Sequence, residues 1–300
     1  MASHSVGLTL YEAAREMGVA FTQENEAVDR YVPLDGMNFH YLEWGDAAST
    51  TVLMLHGVSQ QSHSWDFVSL ALSGQYRALV LDQRGHGDSD WAPDGDYSVE
   101  AQQRDIDGFV EAQGLKGFIL IGHSMGGRNA YVWASRHPDK LKGLVIVDTG
   151  PQTQRPGQDR IRRFQELPDE LGSFEEFAQR VQEYTGRSRE QVMGALKHSI
   201  RQRPDGKWTW KYDKLLRTSG HRPGSWPPEQ LWECIGRITC PTLVLRGSRS
   251  DIFQEETMAR MQQMIPDCAA VTIGNAGHLV QGDNPADFVA AVQEFLNRVC

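Results

Sequence analysis

Six short runs of the chain are apolar almost without interruption: TVLML (51–55), RALVLD (77–82), GFILIG (117–122), GLVIVD (143–148), PTLVLRG (241–247) and AAVTIG (269–274). A strand with one wet face alternates apolar and polar residues, whereas a continuous run suits a strand covered on both faces, as in a parallel sheet flanked by helices. The segments between the runs carry helical spacing. In YSVEAQQRDIDGFVEAQG (97–114), Val99, Ile106, Phe109 and Val110 share one side. MGGRNAYVWASRHPDKL reads as a helix that stops at His137-Pro138, and NPADFVAAVQEFLNRV as a terminal helix with Asn284 as N-cap and Pro285 in its first turn. LYEAAREMG predicts a short helix near the N-terminus, and RYVPLDGMNFHYLEWG (30–45) a hairpin turning at Asp35-Gly36.

Strand–helix alternation of this kind predicts an α/β fold with a mostly parallel, doubly wound sheet. The alternation breaks between Gly150 and about Gly236. That stretch has no strong strand signal and holds helical patches at SFEEFAQRVQEY (173–184) and SREQVMGALKHSI (188–200). The expected organisation is a core of residues 1–150 and 237–300 with residues 151–236 inserted as a helical cap, or lid. At 300 residues, 40% of them hydrophobic, the chain can bury a large core. A net charge of −9 argues against nucleic acid as the main partner but leaves room for a local basic pocket. Cys234, Cys240, Cys268 and Cys300 form no C-x-x-C pair, which reads as free thiols in a reducing, cytoplasmic setting. No apolar run reaches a membrane span, so membrane insertion is not expected, and the N-terminus lacks the basic start of a secretion signal.

The chemistry gathers where the expected strands end. The run GFILI leads straight into GHSMGG and a helix, so Ser124 sits in a strand-to-helix turn that glycines at 122 and 126 allow to be tight. This makes Ser124 a candidate nucleophile, with the Met125 amide at the helix N-terminus facing the same point. A serine hydroxyl needs a base. His278, in NAGHLVQGDNP between the last run and the terminal helix, stands at the same sheet edge. His56-Gly57 ends the run 51–55, and the Val58 amide is placed to be a second donor beside Met125 for a developing oxyanion.

In order and rough spacing, LMLHGVSQQSHSW, VLDQRGHGDSD, LIGHSMGG, HPDKLKGLVIVD, PTLVLRG and AGHLVQGDNPADF resemble the α/β-hydrolase superfamily over residues 30–150 and 237–300. The resemblance implies a serine–histidine–acid machine and offers two places for the acid. One is after the strand that follows the lid, where Ser250 occupies the usual position and Asp251 comes one residue later. The other is the strand before the lid, which ends at Asp148. Asp148 is favoured and Asp251 is the alternative, with Ser250 as an auxiliary partner beside the histidine. Serine at position 124 argues against haloalkane dehalogenase and epoxide hydrolase chemistry, in which this fold uses aspartate.

The expected activity is cofactor-free hydrolysis of a small carboxylic ester, thioester, lactone or activated amide. The same arrangement also fits a C–C bond hydrolase of dicarbonyl compounds, a perhydrolase, or a non-enzymatic ligand receptor. No metal-ligand pattern, Walker A loop or dinucleotide fingerprint appears. The partner expected is a small molecule, and the sequence leaves self-association open. For the pocket, Trp65 is a candidate wall, and Arg128, Arg162, Arg163 and Arg222 are candidate contacts for a substrate carboxylate.

Overall fold

Each continuous apolar run forms a strand. In the computed structural model, which describes residues 8–217 and 226–300, the strands in chain order are β1 (Val28–Leu34), β2 (Met37–Trp44), β3 (Thr51–Leu55), β4 (Arg77–Leu81), β5 (Phe118–His123), β6 (Leu141–Val147), β7 (Glu170–Leu171), β8 (Ile200–Gln202), β9 (Trp208–Trp210), β10 (Thr242–Gly247) and β11 (Cys268–Ile273). The helices are α1 (Leu10–Glu16), α2 (Asp66–Leu72), α3 (Val99–Ala112), α4 (Met125–Arg136), α5 (Arg155–Gln165), α6 (Phe174–Thr185), α7 (Arg189–Ser199), α8 (Pro228–Gly236), α9 (Glu255–Met264), α10 (Val280–Asp283) and α11 (Pro285–Val299).

Eight strands make one sheet in the order β1-β2-β4-β3-β5-β6-β10-β11. The β1–β2 and β2–β4 pairings are antiparallel, and the remaining pairings are parallel. The hairpin turns at Asp35-Gly36, both at positive φ, the geometry that a two-residue turn between twisted strands requires. Successive side chains of a strand point to opposite faces. Thus Leu53 and Leu55 join Phe109, Tyr131 and Trp133 on one side of the sheet, while Val52 and Met54 join Trp65, Phe288 and Val292 on the other. Each such aliphatic or aromatic side chain, moved from water into these layers, contributes about 1.5–3 kcal/mol.

The stretch between β6 and β10 is helical at α5, α6 and α7, and it also holds a three-stranded antiparallel sheet, β7-β9-β8. These strands are too short and too polar at their exposed positions to announce themselves. The stretch has its own apolar cluster around Phe177, Leu196, Trp210 and Leu216, completed by Ala92 and Tyr97 from the loop after β4. The Tyr97 hydroxyl donates to Asp213 at 2.5 Å, and the Asp213 amide donates to the Gly85 carbonyl, which binds this cluster to the edge of the main sheet. α8 packs instead on α4, inside the core beneath the sheet. Among the described residues, no helix is long and apolar enough to cross a membrane.

Candidate active site

The carboxyl ends of β3, β5 and β6 converge. Ser124 follows β5 with φ 53° and ψ −114°, a conformation that costs a non-glycine residue about 1–3 kcal/mol and survives only when its surroundings enforce it. They do so here. The Ser124 amide donates to the Val147 carbonyl and the Gly126 amide to the His56 carbonyl, pinning the turn between β3 and β6. A Cβ on Gly122 would lie 2.3 Å from the Gly126 carbonyl oxygen, and one on Gly126 would lie 2.4 Å from that of Leu55. The turn can be this tight only with glycine at both positions.

His278 lies in the loop between β11 and α10, almost buried. Its Nε2 is 3.0 Å from the Ser124 hydroxyl, and its Nδ1 is 2.8 Å from Asp148 Oδ2. Asp148 is fully buried at the end of β6, also at positive φ. Its carboxylate further accepts the Gly247 amide at 2.9 Å and the Ser250 hydroxyl at 2.6 Å. With three donors converging on Asp148, the carboxylate acts as acceptor, so the imidazole proton sits on Nδ1 and Nε2 turns its lone pair to the serine. The His278 loop is held from two more sides. The Gly277 amide donates to Asp283, and the His278 carbonyl accepts from the buried His123 ring at 2.7 Å.

The Met125 and Val58 amides find no hydrogen-bond acceptor among the described residues. Met125 follows Ser124 and opens α4, where the helix dipole favours negative charge, and Val58 lines the same cavity as Ser124. Ser124, His278 and Val58 open onto a cavity of about 900 Å³, walled by residues of α5, α6 and α7 and by the loops after β3 and β11. Ile161, Phe164, Val192, Leu196 and Trp210 give it an apolar side, while Gln60, Arg160, Arg187 and Arg249 make other parts of the wall polar.

Other residues singled out by the sequence lie elsewhere. Asp251, the alternative acid, does not reach His278; its carboxylate is held by both edge nitrogens of Arg160, at 2.9 and 3.0 Å. Trp65 is no pocket wall, because its ring is fully buried against Phe288 in the core behind the sheet. Arg128 does not line the cavity. Its guanidinium is buried, its Nε and Nη2 have no partner among the described residues, and burial lowers its pKa. Arg162 and Arg163 turn away from the cavity on α5, the first to Asp159 and the second to the Asp159 carbonyl. Arg222 falls outside the described residues.

Arg160, Arg187 and Arg249 are the arginines of the cavity wall. Arg187 pairs with Asp283 at 2.7 Å. The signal for Arg160 was available in helical phase: Ile161, Phe164 and Gln165 mark the inward face of α5, and Arg160 lies four residues before Phe164 on that face. His123 carried no such signal, since nothing in the sequence ties the residue before the serine to the His278 loop.

Burial holds several ring nitrogens at this edge neutral. It drives the pKa of His123 well below the ordinary histidine value, helped by the neighbouring His278, lowers that of His56, and takes that of His86 down to about 3. For His40, burial lowers the pKa, but hydrogen bonds to Asp82 and Asp29 outweigh it and raise the value. A histidine with a depressed folded pKa takes up its proton more readily when unfolded, where its pKa is about 6.5. The stability it lends is complete above that pH and is lost progressively on acidification. Counting His198, whose pKa burial also takes down to about 3, four residues shift this way against one, so the melting temperature should begin to fall below about pH 6.5, before most carboxylates titrate. A melting temperature that stays flat from pH 6.5 to 4.5 in differential scanning calorimetry would contradict this balance.

The alpha/beta hydrolase fold model matches residues 50–285. The chain is 30% identical over 277 residues to the sn-1-specific diacylglycerol lipase of Mus musculus, covering 84% of this chain and 82% of that protein. It is 27% identical over 271 residues to an esterase of Mycobacterium tuberculosis, with 85% of each covered. A crystal structure of an alpha/beta hydrolase from Novosphingobium aromaticivorans superposes with a TM-score of 0.82 at 28% identity, over 92% of this chain and all of that one. The protein belongs to the α/β-hydrolase family.

Proposed function

We propose that the protein is a cofactor-free serine hydrolase that cleaves a small carboxylic ester, thioester, lactone or activated amide through an acyl-enzyme. The observation that carries this reading is the unbroken chain of hydrogen bonds from the Ser124 hydroxyl through His278 to Asp148, at the wall of a cavity with an apolar side. The esterase and lipase names of the relatives agree with it.

In this reading His278 Nε2 takes the hydroxyl proton as Ser124 Oγ attacks the carbonyl carbon. The buried Asp148 holds the ring in the required tautomer and stabilises the imidazolium that forms. The Val58 and Met125 amides receive the negative charge on the former carbonyl oxygen. The leaving group departs with the proton from His278, and water activated by the same nitrogen frees the serine. Ser250 braces Asp148 and does not touch the reacting atoms. The part of residues 151–236 that precedes α8 acts as the lid over the core, its apolar side chains receiving the acyl or alkyl part of the substrate, while α8 packs with the core.

Release of p-nitrophenol from p-nitrophenyl acetate and butyrate, in buffer containing a chelator and no added cofactor, tests this reading. We expect saturable hydrolysis, with the butyrate preferred by the apolar wall. No release above buffer from either ester would remove the hydrolase reading and favour a receptor on the same fold.

A further inference from the structure

A single carboxylate joins the lid to the loop that carries His278. Asp283 ends α10, the short helix that follows that loop. Its Oδ2 accepts the Gly277 amide at 2.9 Å, and Gly277 immediately precedes His278. Its Oδ1 accepts from Arg187 Nη2 at 2.7 Å. Arg187 comes from the lid: it stands in the link between α6 and α7, just after Gly186 turns the chain at φ 69°. A Cβ on Gly282 would lie 2.6 Å from Arg187 Nη2, so glycine at 282 is what lets the guanidinium settle against α10. The two side chains of the pair are 23% and 24% exposed, and their attraction is screened less than that of a pair in open solvent.

We propose that Arg187 and Asp283 are positioning residues that make the placement of His278 depend on the docked lid. The proposal rests on the hydrolase reading above, with His278 as the base. The ring must hold Asp148 and Ser124 at once, at 2.8 and 3.0 Å from its two nitrogens, and a catalytic group tolerates only about 0.5 Å of misplacement. On the core side the His278 carbonyl is fixed by the buried His123 ring. On the other side the Gly277 amide is only as fixed as the Asp283 carboxylate, and Arg187 fastens the second oxygen of that carboxylate with a charge-assisted hydrogen bond. Without Arg187 the carboxylate turns towards water, and the Gly277 amide loses a fixed acceptor. The base is then aligned while the lid is down and loosened when it lifts, which confines the reaction to the closed cavity.

Other contacts also tie the lid to the core. Arg160 meets Asp251, Lys211 meets Asp88, Gln165 meets Ser59, and Gln61 meets Ser199, but none of these four reaches the backbone beside His278. Arg187 also lines the cavity, so a role in binding substrate has to be told apart from a role in placing the base.

The test compares Arg187→Gln, Arg187→Lys, Asp283→Ala and the Arg187→Gln/Asp283→Ala double variant, with Lys211→Gln as control, each checked for folding by circular dichroism. Two quantities are read: kcat and KM on p-nitrophenyl butyrate, and hydrogen–deuterium exchange at the Gly277 amide. Arg187→Gln is expected to lower kcat about tenfold with KM within about twofold, and to speed Gly277 exchange at least about tenfold. Arg187→Lys should recover part of both losses. In the Asp283→Ala background, Arg187→Gln should cost nothing further, because the two side chains act as one unit. Lys211→Gln should match wild type in both readings. If Asp283→Ala does not fold, the two Arg187 variants carry the comparison. Wild-type exchange at Gly277 in Arg187→Gln, a change in KM alone, or additive losses in the double variant would each overturn the proposal. If wild type hydrolyses no ester, it is the hydrolase reading that fails, and Gly277 exchange still decides whether Arg187 fixes the His278 loop.

Discussion

Ser124→Ala is expected to lower kcat on p-nitrophenyl butyrate by at least about 10⁴-fold while KM changes little. The alanine keeps the cavity with its apolar side and both oxyanion amides, so substrate binds much as before; only the attacking oxygen is gone. What turnover persists is that of a bound water facing the Val58 and Met125 amides, which is why the loss need not be total. Stability should hold or rise slightly. Removing the hydroxyl leaves the Ser124 main-chain hydrogen bond to Val147 in place, and the strain at positive φ is the same for alanine. A Ser124→Ala variant with a normal melting temperature and undiminished, saturable hydrolysis would move the nucleophile elsewhere.

The second large effect separates the two aspartates. Asp148→Asn should reduce kcat by about 10³–10⁴-fold, because the amide can present its NH₂ to His278 and force the ring into the tautomer that cannot accept the serine proton. Asp251→Asn should keep turnover within about threefold. The Asp251 carboxylate meets Arg160 and not the histidine, and both side chains of that pair are substantially exposed, at 42% and 34%; such pairs are worth about 0–1 kcal/mol. Parallel kcat measurements on the two variants decide between them. A collapse in Asp251→Asn with Asp148→Asn near wild type would reverse the roles assigned to the two residues.

What the sequence could convey depended on how local the cause was. The main-sheet strands were legible because residues such as Leu53 and Met54 must be apolar on both faces, and the hairpin because Asp35-Gly36 suits positive φ. Ser124 and His278 were legible as strand-end residues with the right neighbours. The acid was legible only as a preference for Asp148, since Asp148 and Asp251 both follow a strand and the path of two loops decides which carboxylate meets the ring. The strands β7, β8 and β9 were hidden by their length of two or three residues. The cavity arginines were misjudged because charge alone says nothing of helical phase: Arg160 faces inward on α5, and Arg162 and Arg163 do not. Trp65 was misplaced because a large ring near a site can as easily belong to the layer behind it.

The central claim, that Ser124 is a nucleophile activated by His278, is tested most directly by a fluorophosphonate that reacts with activated serines. Incubation with the protein, intact-mass measurement and peptide mapping should show one adduct per chain, on Ser124, formed far more slowly in a His278→Asn variant. No adduct, or one mapping to another residue, would contradict it.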